Sequence, residues 1–310
     1  MSDGSKIEWT DATWNPVTGC SVVSPGCTNC YAMRLAGTRL RDHPSRAGLT
    51  EMSKAGPVWT GEVRLNENWL DQPLRWRKPR LVFVCAHGDL FHESVPDEWI
   101  DLVFAVMAMS PRHTFQVLTK RPERARRYLT RIMVGDCGPE DVVNAGDIVA
   151  STFRPTDVDI ADVEWPLANV WLGVSVEDQR RADERIPPLL NTPAAVRFVS
   201  AEPLLGPVDL TRIGWGGNLI AGNTDALSGL DTCLEFPGEP RAAYSRLDWV
   251  IVGGESGPGA RDMDPAWARG LRDRCAEAGT AFFMKQMAHK APIPDDLKVR
   301  AFPGPRQERA

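Results

Sequence analysis

Short apolar runs alternate along the chain with segments whose apolar residues recur at helical spacing. Eight runs have the length of a β-strand, and most are nearly continuous in apolar residues, as in strands that are buried on both faces. The predicted strands are Ala12–Trp14, Gly61–Leu65, Leu81–Cys85, Thr114–Leu118, Val170–Val174, Val196–Val199, Trp249–Val252 and Ala281–Met284. Strands that alternate with helices are typical of a parallel sheet built from βα units.

Helical patterns fill the intervals between these runs. Pro96 precedes one pattern and Gly279 follows another, which are start and stop signals for helices. The predicted helices are Tyr31–Arg41, Trp69–Arg77, Asp97–Met109, Pro122–Ile132, Glu177–Leu190 and Pro265–Ala278. The order of elements predicts an α/β fold, namely a (β/α) barrel of the TIM-barrel type with eight units or fewer. An open, doubly wound sheet is the alternative.

We expect residues 1–290 to form a single barrel domain. Two stretches, at about 135–166 and 212–246, are rich in Gly, Pro, Asp and Thr and weakly periodic, and they are interpreted as insertions at the barrel rim. The Pro-rich, charged segment 291–310 is predicted to be an extended or disordered tail.

Charge and hydropathy exclude several classes of protein for this chain. The 310 residues include 36 basic and 41 acidic side chains, so the net charge of −5 gives no overall positive field that would attract nucleic acid. No apolar run approaches the roughly 18 residues of a membrane-spanning helix, and the N-terminus lacks the pattern of a secretory signal. We therefore expect a cytoplasmic protein with no membrane partner.

Three of the seven cysteines are clustered. Cys20, Cys27 and Cys30 have the spacing C-x6-C-x2-C in a loop that contains Gly19 and leads directly into a predicted helix. They could be core thiols, or ligands of a structural zinc ion whose fourth ligand is distant, with His43 the nearest histidine. They could also hold a [4Fe–4S] cluster, leaving one iron without a protein ligand. We favour the cluster, because a polar loop is a poor place to bury thiols and no second C-x2-C pair is present to complete a zinc site.

The cysteine loop, which follows the first predicted strand, resembles that of the radical S-adenosylmethionine superfamily. The common spacing there is C-x3-C-x2-C with an aromatic residue before the last cysteine, whereas here the first gap has six residues and Tyr31 follows the last cysteine. The resemblance implies a barrel and a [4Fe–4S] cluster that binds S-adenosylmethionine at its open iron. It also implies an electron donor, whose electron cleaves the cofactor into methionine and a 5′-deoxyadenosyl radical.

The whole chain also resembles a phage- and bacterium-borne family of uncharacterised proteins with a three-cysteine motif. The segments that carry this resemblance are KIEWTDATWNPVTGC, PGCTNCYA, LTKRPERA, WLGVSVE, SAEPLLGP, WVIVGGESGPGAR and FFMKQ. They span Lys6 to about Gln286. This resemblance implies a barrel and assigns no substrate or activity.

Polar residues follow most predicted strands, where a (β/α) barrel carries its binding groups. Glu202 or Glu255 could accept hydrogen bonds from the methionine ammonium or the ribose hydroxyls, and Lys120 or Arg121 could pair with the methionine carboxylate. The Gly253–Gly254 pair would permit the backbone to approach a bound cofactor closely. Polar residues also follow strands simply because the chain reaches solvent there. The candidate cofactor-binding residues are Lys120, Arg121, Ser200, Glu202, Gly253, Gly254, Glu255 and Lys285.

Two basic stretches, 75–80 and 120–131, suggest a substrate class. They could contact a nucleic-acid backbone or form solvated surfaces. The predicted function is a radical S-adenosylmethionine enzyme that acts on an unidentified substrate, with a nucleic-acid base or nucleotide as the favoured class. The alternative is a non-enzymatic protein that binds zinc or a cluster and interacts with nucleic acid or a partner protein. No catalytic residue is assigned.

Overall fold

A computed structural model describes residues 4–134, 139–153, 158–214, 223–232, 240–243 and 245–304. These residues form a mixed α/β fold that divides into two compact units. Unit 1 comprises Met1–Gly173 and Thr192–Ala195, and unit 2 comprises Val174–Asn191 and Val196–Ala310. Parts of the predicted insertions, and residues 305–310 of the predicted tail, lie outside the described residues.

Seven strands form a parallel sheet in which the spatial order follows the chain order. They are β1 (Ala12–Trp14), β2 (Leu81–Val84), β3 (Thr114–Thr119), β4 (Val170–Ser175), β5 (Val196–Ala201), β6 (Trp249–Gly253) and β7 (Ala281–Gln286). In unit 1, Ala12 lies opposite Val82. In unit 2, Trp249 lies opposite both Phe198 and Ala281.

The parallel sheet confirms the coarse prediction of the fold, and one predicted strand is wrong. Within Gly61–Leu65 only Arg64–Leu65 is a strand, and it pairs antiparallel with Val17–Thr18 in a separate two-stranded sheet. Gly61 has a φ of 88°, and Arg64–Leu65 is only partly buried, unlike the strands of the large sheet. The described sheet therefore has seven strands, and an eight-unit barrel is not confirmed.

Seven α-helices accompany the strands in the described residues. They are α1 (Tyr31–Gly37), α2 (Gln72–Arg75), α3 (Asp97–Ala108), α4 (Pro122–Val134), α5 (Glu140–Thr152), α6 (Gln179–Leu190) and α7 (Pro265–Ala278). Six of these were predicted. The additional helix, α5, lies inside the stretch interpreted as the first insertion and packs against α3. No helix among the described residues is long and apolar enough to cross a membrane.

Smaller elements complete the described chain. Antiparallel strands pair Thr50–Ser53 with Gly56–Trp59. A three-stranded sheet of Asn223–Asp225, Leu230–Thr232 and Pro240–Ala243 lies inside the second predicted insertion. Short 3-10 helices are Pro25–Cys27, Glu67–Trp69, Ile160–Asp162, Ala288–Lys290 and Asp295–Leu297.

The described part of the C-terminal segment runs beside β7. The amide of Met284 donates to the carbonyl of Val299 at 2.8 Å, and the amide of Ala301 donates to that of Phe282 at 2.9 Å. The indole of Trp249 donates to the Ala301 carbonyl at 2.9 Å. These bonds attach residues 299–301 to the core of unit 2.

Candidate functional site

The cysteine loop begins at a glycine that no other residue could replace without displacing backbone. Gly19 has a φ of 99°, and a Cβ added there would lie 2.1 Å from the carbonyl oxygen of Glu62. Its amide donates to the carbonyl of His87 at 3.2 Å. Because only glycine combines this conformation with this close approach, the sequence fixes the position at which Cys20 enters the loop.

Cys27 and Cys30 are placed by a turn and a helix start. Cys27 ends the 3-10 helix Pro25–Cys27, and its amide donates to the carbonyl of Ser24 at 2.9 Å. The Cys30 amide donates to the Cys27 carbonyl at 3.3 Å, and Cys30 is the residue that precedes α1. The C-x2-C pair therefore occupies a single turn of hydrogen-bonded backbone.

The three thiols are free and partly buried. None forms a disulfide. Cys20 and Cys30 pack against an apolar cluster made of Ala32, Met33, Ala36, Leu49 and Trp59. Within the described residues, no three His, Cys, Asp or Glu side chains form a group that could hold a single metal ion. The donor set itself, three unpaired thiols of one loop, is the kind that iron–sulfur clusters use.

The environment of Cys20 favours the protonated thiol in the metal-free protein. Burial, followed by the charge of Asp89, raises the pKa of Cys20 to about 12, and the neighbouring Cys27 thiol acts in the same direction. The guanidinium of Arg121 acts in the opposite direction. The effect of Cys27 on Cys20 places the two thiols within electrostatic reach of each other.

Arg121, which follows β3, ties the cysteine loop to the sheet. One of its terminal nitrogens lies 3.6 Å from the sulfur of Cys20 and 3.0 Å from a carboxylate oxygen of Asp89. The other donates to the hydroxyl of Ser21 at 2.7 Å, and Nε donates to the carboxylate of Glu93 at 2.8 Å. A single guanidinium therefore connects the loop with the residues that follow β2.

Asp89 is the buried partner that holds this arginine. Its carboxylate also accepts hydrogen bonds from the Thr119 hydroxyl at 2.7 Å, the Lys120 amide at 3.0 Å and the Phe91 amide at 3.0 Å. The sequence assigned Arg121 to a cofactor carboxylate, whereas in the structure Asp89 and Glu93 are the carboxylates that pair with it. Lys120 contributes its backbone to this network through the amide.

Sequence reasoning assigned only Lys120 and Arg121 of this network to the site, and missed Asp89 and Thr119 as well as the three residues that follow. Ser21 and Glu93 carry no motif, and their contacts with Arg121 join residues far apart in the chain. His92 follows a predicted strand but was not assigned to the site, and its Nε2 lies 3.0 Å from the Ser21 hydroxyl. Burial, followed by the charge of Arg121, lowers the pKa of His92. The sequence could have indicated His92 as a site residue, because it follows the strand β2.

Four of the predicted cofactor-binding residues come together in unit 2. The ammonium of Lys285 lies 2.6 Å from one carboxylate oxygen of Glu202, and the hydroxyl of Ser200 donates to the other at 3.1 Å. A Cβ on Gly253 would lie 2.8 Å from that carboxylate. The absence of a side chain at Gly253 therefore leaves room for the carboxylate of Glu202.

Gly254 and Glu255 have other partners within unit 2. A Cβ on Gly254 would lie 2.3 Å from the amide nitrogen of Ala288, so the close approach predicted for a ligand is made by the chain itself. Glu255 forms an ion pair with Arg261. Of the eight predicted cofactor-binding residues, Lys120 and Arg121 thus belong to unit 1 with the cysteines, and the other six belong to unit 2.

The basic side chains of α4 are largely paired with acidic ones. Arg124 forms an ion pair with Asp97, and Arg131 lies 2.5 Å from a carboxylate oxygen of Asp141. Arg126 pairs with Glu123 on the same helix at 3.0 Å. These pairs offset the positive charge that suggested a nucleic-acid backbone as partner.

Comparison with known proteins gives a family for the chain. The family model described as protein of unknown function (DUF5131) matches residues 4–300, which include the cysteine loop and all seven strands of the sheet. Comparisons with curated proteins and with solved structures found no match. The match covers nearly the whole chain, and the chain therefore belongs to the DUF5131 family.

Proposed function

We propose that the chain is a radical S-adenosylmethionine enzyme whose [4Fe–4S] cluster is held by Cys20, Cys27 and Cys30. The observation that carries the proposal is the set of three free thiols in one loop of unit 1, placed by Gly19 and by the start of α1. Thiolates are the usual ligands of iron–sulfur clusters, and three of them leave one iron open to a small molecule.

The cluster and S-adenosylmethionine would supply the chemistry of this function, and the protein would bind and orient them. When bound and reduced, the cluster supplies the electron that cleaves the sulfonium bond of S-adenosylmethionine into methionine and a 5′-deoxyadenosyl radical. Arg121 donates toward the Cys20 sulfur and favours its thiolate form, which is the form that binds metal. The apolar cluster beneath Cys20 and Cys30 limits the access of water from that side.

Exposed apolar side chains around the cysteines support a ligand at this loop. Val22, Val23 and Tyr31 are 49%, 41% and 50% exposed, and all lie within the segment that contains the three cysteines. Apolar side chains that stay exposed in the folded protein make favourable contacts when another molecule covers them. An adenosyl group or a substrate that covered them would gain apolar contact while being held beside the thiols.

The substrate class is not assigned by the basic residues of α4, because carboxylates pair with them. The reaction also requires an electron donor, which we propose to be a separate partner. A nucleic-acid base, a nucleotide or another small metabolite all fit an enzyme whose radical is generated at the cysteine loop.

The test is anaerobic purification and reconstitution of the full chain. We expect about four irons and about four sulfides per chain, and a broad absorption near roughly 400 nm. Adding S-adenosylmethionine to the reduced protein should change its electron paramagnetic resonance spectrum, and 5′-deoxyadenosine should form. Single alanine substitutions of Cys20, Cys27 or Cys30 should abolish the absorption, whereas Cys275→Ala, a buried thiol in α7, should retain it.

Two results would overturn this proposal. The first is an intact absorption in all three loop variants, which would mean that other groups hold the iron. The second is a colourless protein that carries one zinc ion after reconstitution with iron and sulfide. That result would support the alternative, a zinc-binding protein without radical chemistry.

A further inference from the structure

Unit 1 contains a second buried arginine that, unlike Arg121, has no carboxylate partner among the described residues. Arg46 is only 4% exposed. Burial, followed by the charge of Arg64, lowers the pKa of Arg46 to about 10, while the thiol of Cys85 and the hydroxyl of Tyr31 act in the opposite direction. No Asp or Glu is among these groups. A cation buried without a counter-charge is unfavourable, and an anionic ligand bound beside it would remove that cost.

The hydrogen bonds of Arg46 leave part of its guanidinium without an acceptor. One terminal nitrogen donates to the hydroxyl of Ser45 at 2.7 Å and to the Ser45 carbonyl at 3.3 Å. The guanidinium also lies 5.8 Å from the ring centre of Trp69. Nε is buried and has no hydrogen-bond partner in the described part of the chain. A buried N–H group of a charged side chain is costly to leave without an acceptor.

His87 adds a second polar atom without a partner. Its Nδ1 is buried and makes no hydrogen bond to any described residue. Burial, followed by the charge of Arg46, lowers the pKa of His87 to about 4, so the ring is neutral at pH 7 and carries one N–H group. The dependence of His87 on Arg46 places the ring within electrostatic reach of the guanidinium.

The backbone around His87 is held in place. Its amide donates to the side-chain oxygen of Asn15 at 3.0 Å, and its carbonyl accepts from Gly19 at 3.2 Å. Cys85, two residues earlier, has a φ of 56°, which is a left-handed conformation that non-glycine residues rarely adopt. Strained backbone of this kind occurs preferentially at functional sites. The ring of Tyr31, which is half exposed, lies edge-on to the His87 ring, with 5.8 Å between the ring centroids.

We propose that Arg46 and His87 form a binding site for an anionic oxygen group, a carboxylate or a phosphate, of a small molecule. The forked N–H groups of a guanidinium match the oxygens of both groups, and a neutral imidazole can donate one further hydrogen bond. The site goes beyond the proposed radical function, because none of its residues is a proposed cluster ligand. A carboxylate would come from an amino acid or a cofactor such as S-adenosylmethionine, and a phosphate from a nucleotide.

The test uses thermal unfolding of the metal-free, full-length protein at constant ionic strength, with sodium phosphate or sodium acetate replacing sodium chloride. We expect a saturable rise of Tm with at least one of the two anions, because a ligand that binds the folded state stabilises it. Phosphate alone, acetate alone or both would each support the site and would indicate which group it accepts. The absence of a rise with either anion would overturn the proposal.

Variants decide whether the response comes from this site. Arg46→Gln should abolish the rise, and Arg41→Gln should retain it, because Arg41 is exposed and forms an ion pair with Asp42 on the surface. His87→Gln should weaken anion binding by about tenfold, as expected when one hydrogen bond to a charged group is lost. If Arg46→Gln does not fold, the measurement on His87→Gln alone tests the proposal. An anion response unchanged in His87→Gln, or retained in a folded Arg46→Gln, would refute the assignment. The test uses protein without iron, so a negative result would leave the cluster proposal intact. Failure of the cluster proposal would likewise leave the anion site intact.

Discussion

Replacing Arg121 tests how the cysteine loop is attached to the sheet. Arg121 and Asp89 have side chains that are 5% and 7% exposed, and they lie 3.0 Å apart. Breaking a buried ion pair by removing one partner costs about 3–5 kcal/mol, because the remaining charge stays buried without its counter-charge. In Arg121→Gln, Asp89 keeps the Thr119 hydroxyl and two backbone amides as donors. We therefore expect a loss near the lower limit, about 3 kcal/mol.

Glu93 adds little to this loss. Its carboxylate accepts from Arg121 at 2.8 Å but is two-thirds exposed, and exposed ion pairs contribute about 0–1 kcal/mol. The same reasoning provides a control. Arg126 pairs with Glu123 at 3.0 Å on the exposed side of α4, so Arg126→Gln should change the free energy of unfolding by less than about 1 kcal/mol.

The assay is urea-induced unfolding of the metal-free protein, followed by tryptophan fluorescence. A double variant, Arg121→Gln with Asp89→Asn, removes both buried charges and should recover at least about half of the loss, because no uncompensated ion remains. The reasoning would be refuted if Arg121→Gln cost no more than Arg126→Gln, or if the double variant were as unstable as the sum of the single ones. After reconstitution, Arg121→Gln should also bind less iron than Arg126→Gln, since it loses the donor beside Cys20.

One further prediction concerns unit 1, and two concern unit 2. The pKa of His87 is about 4 in the folded protein against an ordinary value of 6.5, so the unfolded chain binds its proton first as the pH falls. Between pH 6.5 and 4 the wild type should lose about 3 kcal/mol more stability than His87→Gln, and equal losses in denaturant titrations would contradict this. In unit 2, Gly254→Ala should destabilise by about 2 kcal/mol, because its Cβ would lie 2.3 Å from the Ala288 amide nitrogen. Gly270→Ala, exposed in α7 with no atom within 4 Å of its Cβ, should instead stabilise by about 0.5–1 kcal/mol, and a destabilisation in urea unfolding would refute that reasoning.

The strands of the large sheet could be predicted because burial on both faces leaves a local pattern. β6, for example, is Trp249–Gly253, with all five residues buried, against a predicted Trp249–Val252. The helix α5 could not be predicted in the same way. Gly146 interrupts its helical pattern, and a Cβ there would lie 2.3 Å from the end of the Ile160 side chain, so the helix packs closely against that residue. Tertiary packing, which the local sequence does not contain, stabilises this helix.

The candidate site, like the fold, has a part that the local sequence predicts and a part that it does not. The spacing of Cys20, Cys27 and Cys30 is local, and it predicted a loop of three cysteines that leads into a helix. The partners of Arg121 are not local, since Ser21 is 100 residues away in the chain and Asp89 is 32. Position after a strand predicts that such residues approach one another at a sheet edge, but not which donor meets which acceptor. For this reason the sequence could propose Lys120 or Arg121 for a cofactor carboxylate but could not predict that Arg121 pairs with Asp89 and Glu93.

The charges around the cysteine loop determine what metal binding has to achieve there. Arg121 carries one positive charge and pairs with two carboxylates, Asp89 and Glu93, so this network is net negative next to Cys20. Burial and Asp89 accordingly favour the neutral Cys20 thiol. A metal that binds Cys20 must displace its proton, and the positive charge of the metal itself has to stabilise the thiolate. In the proposed cluster enzyme, the bound centre would therefore have to stabilise the thiolate of a buried cysteine, with Arg121 as a hydrogen-bond donor 3.6 Å from the sulfur.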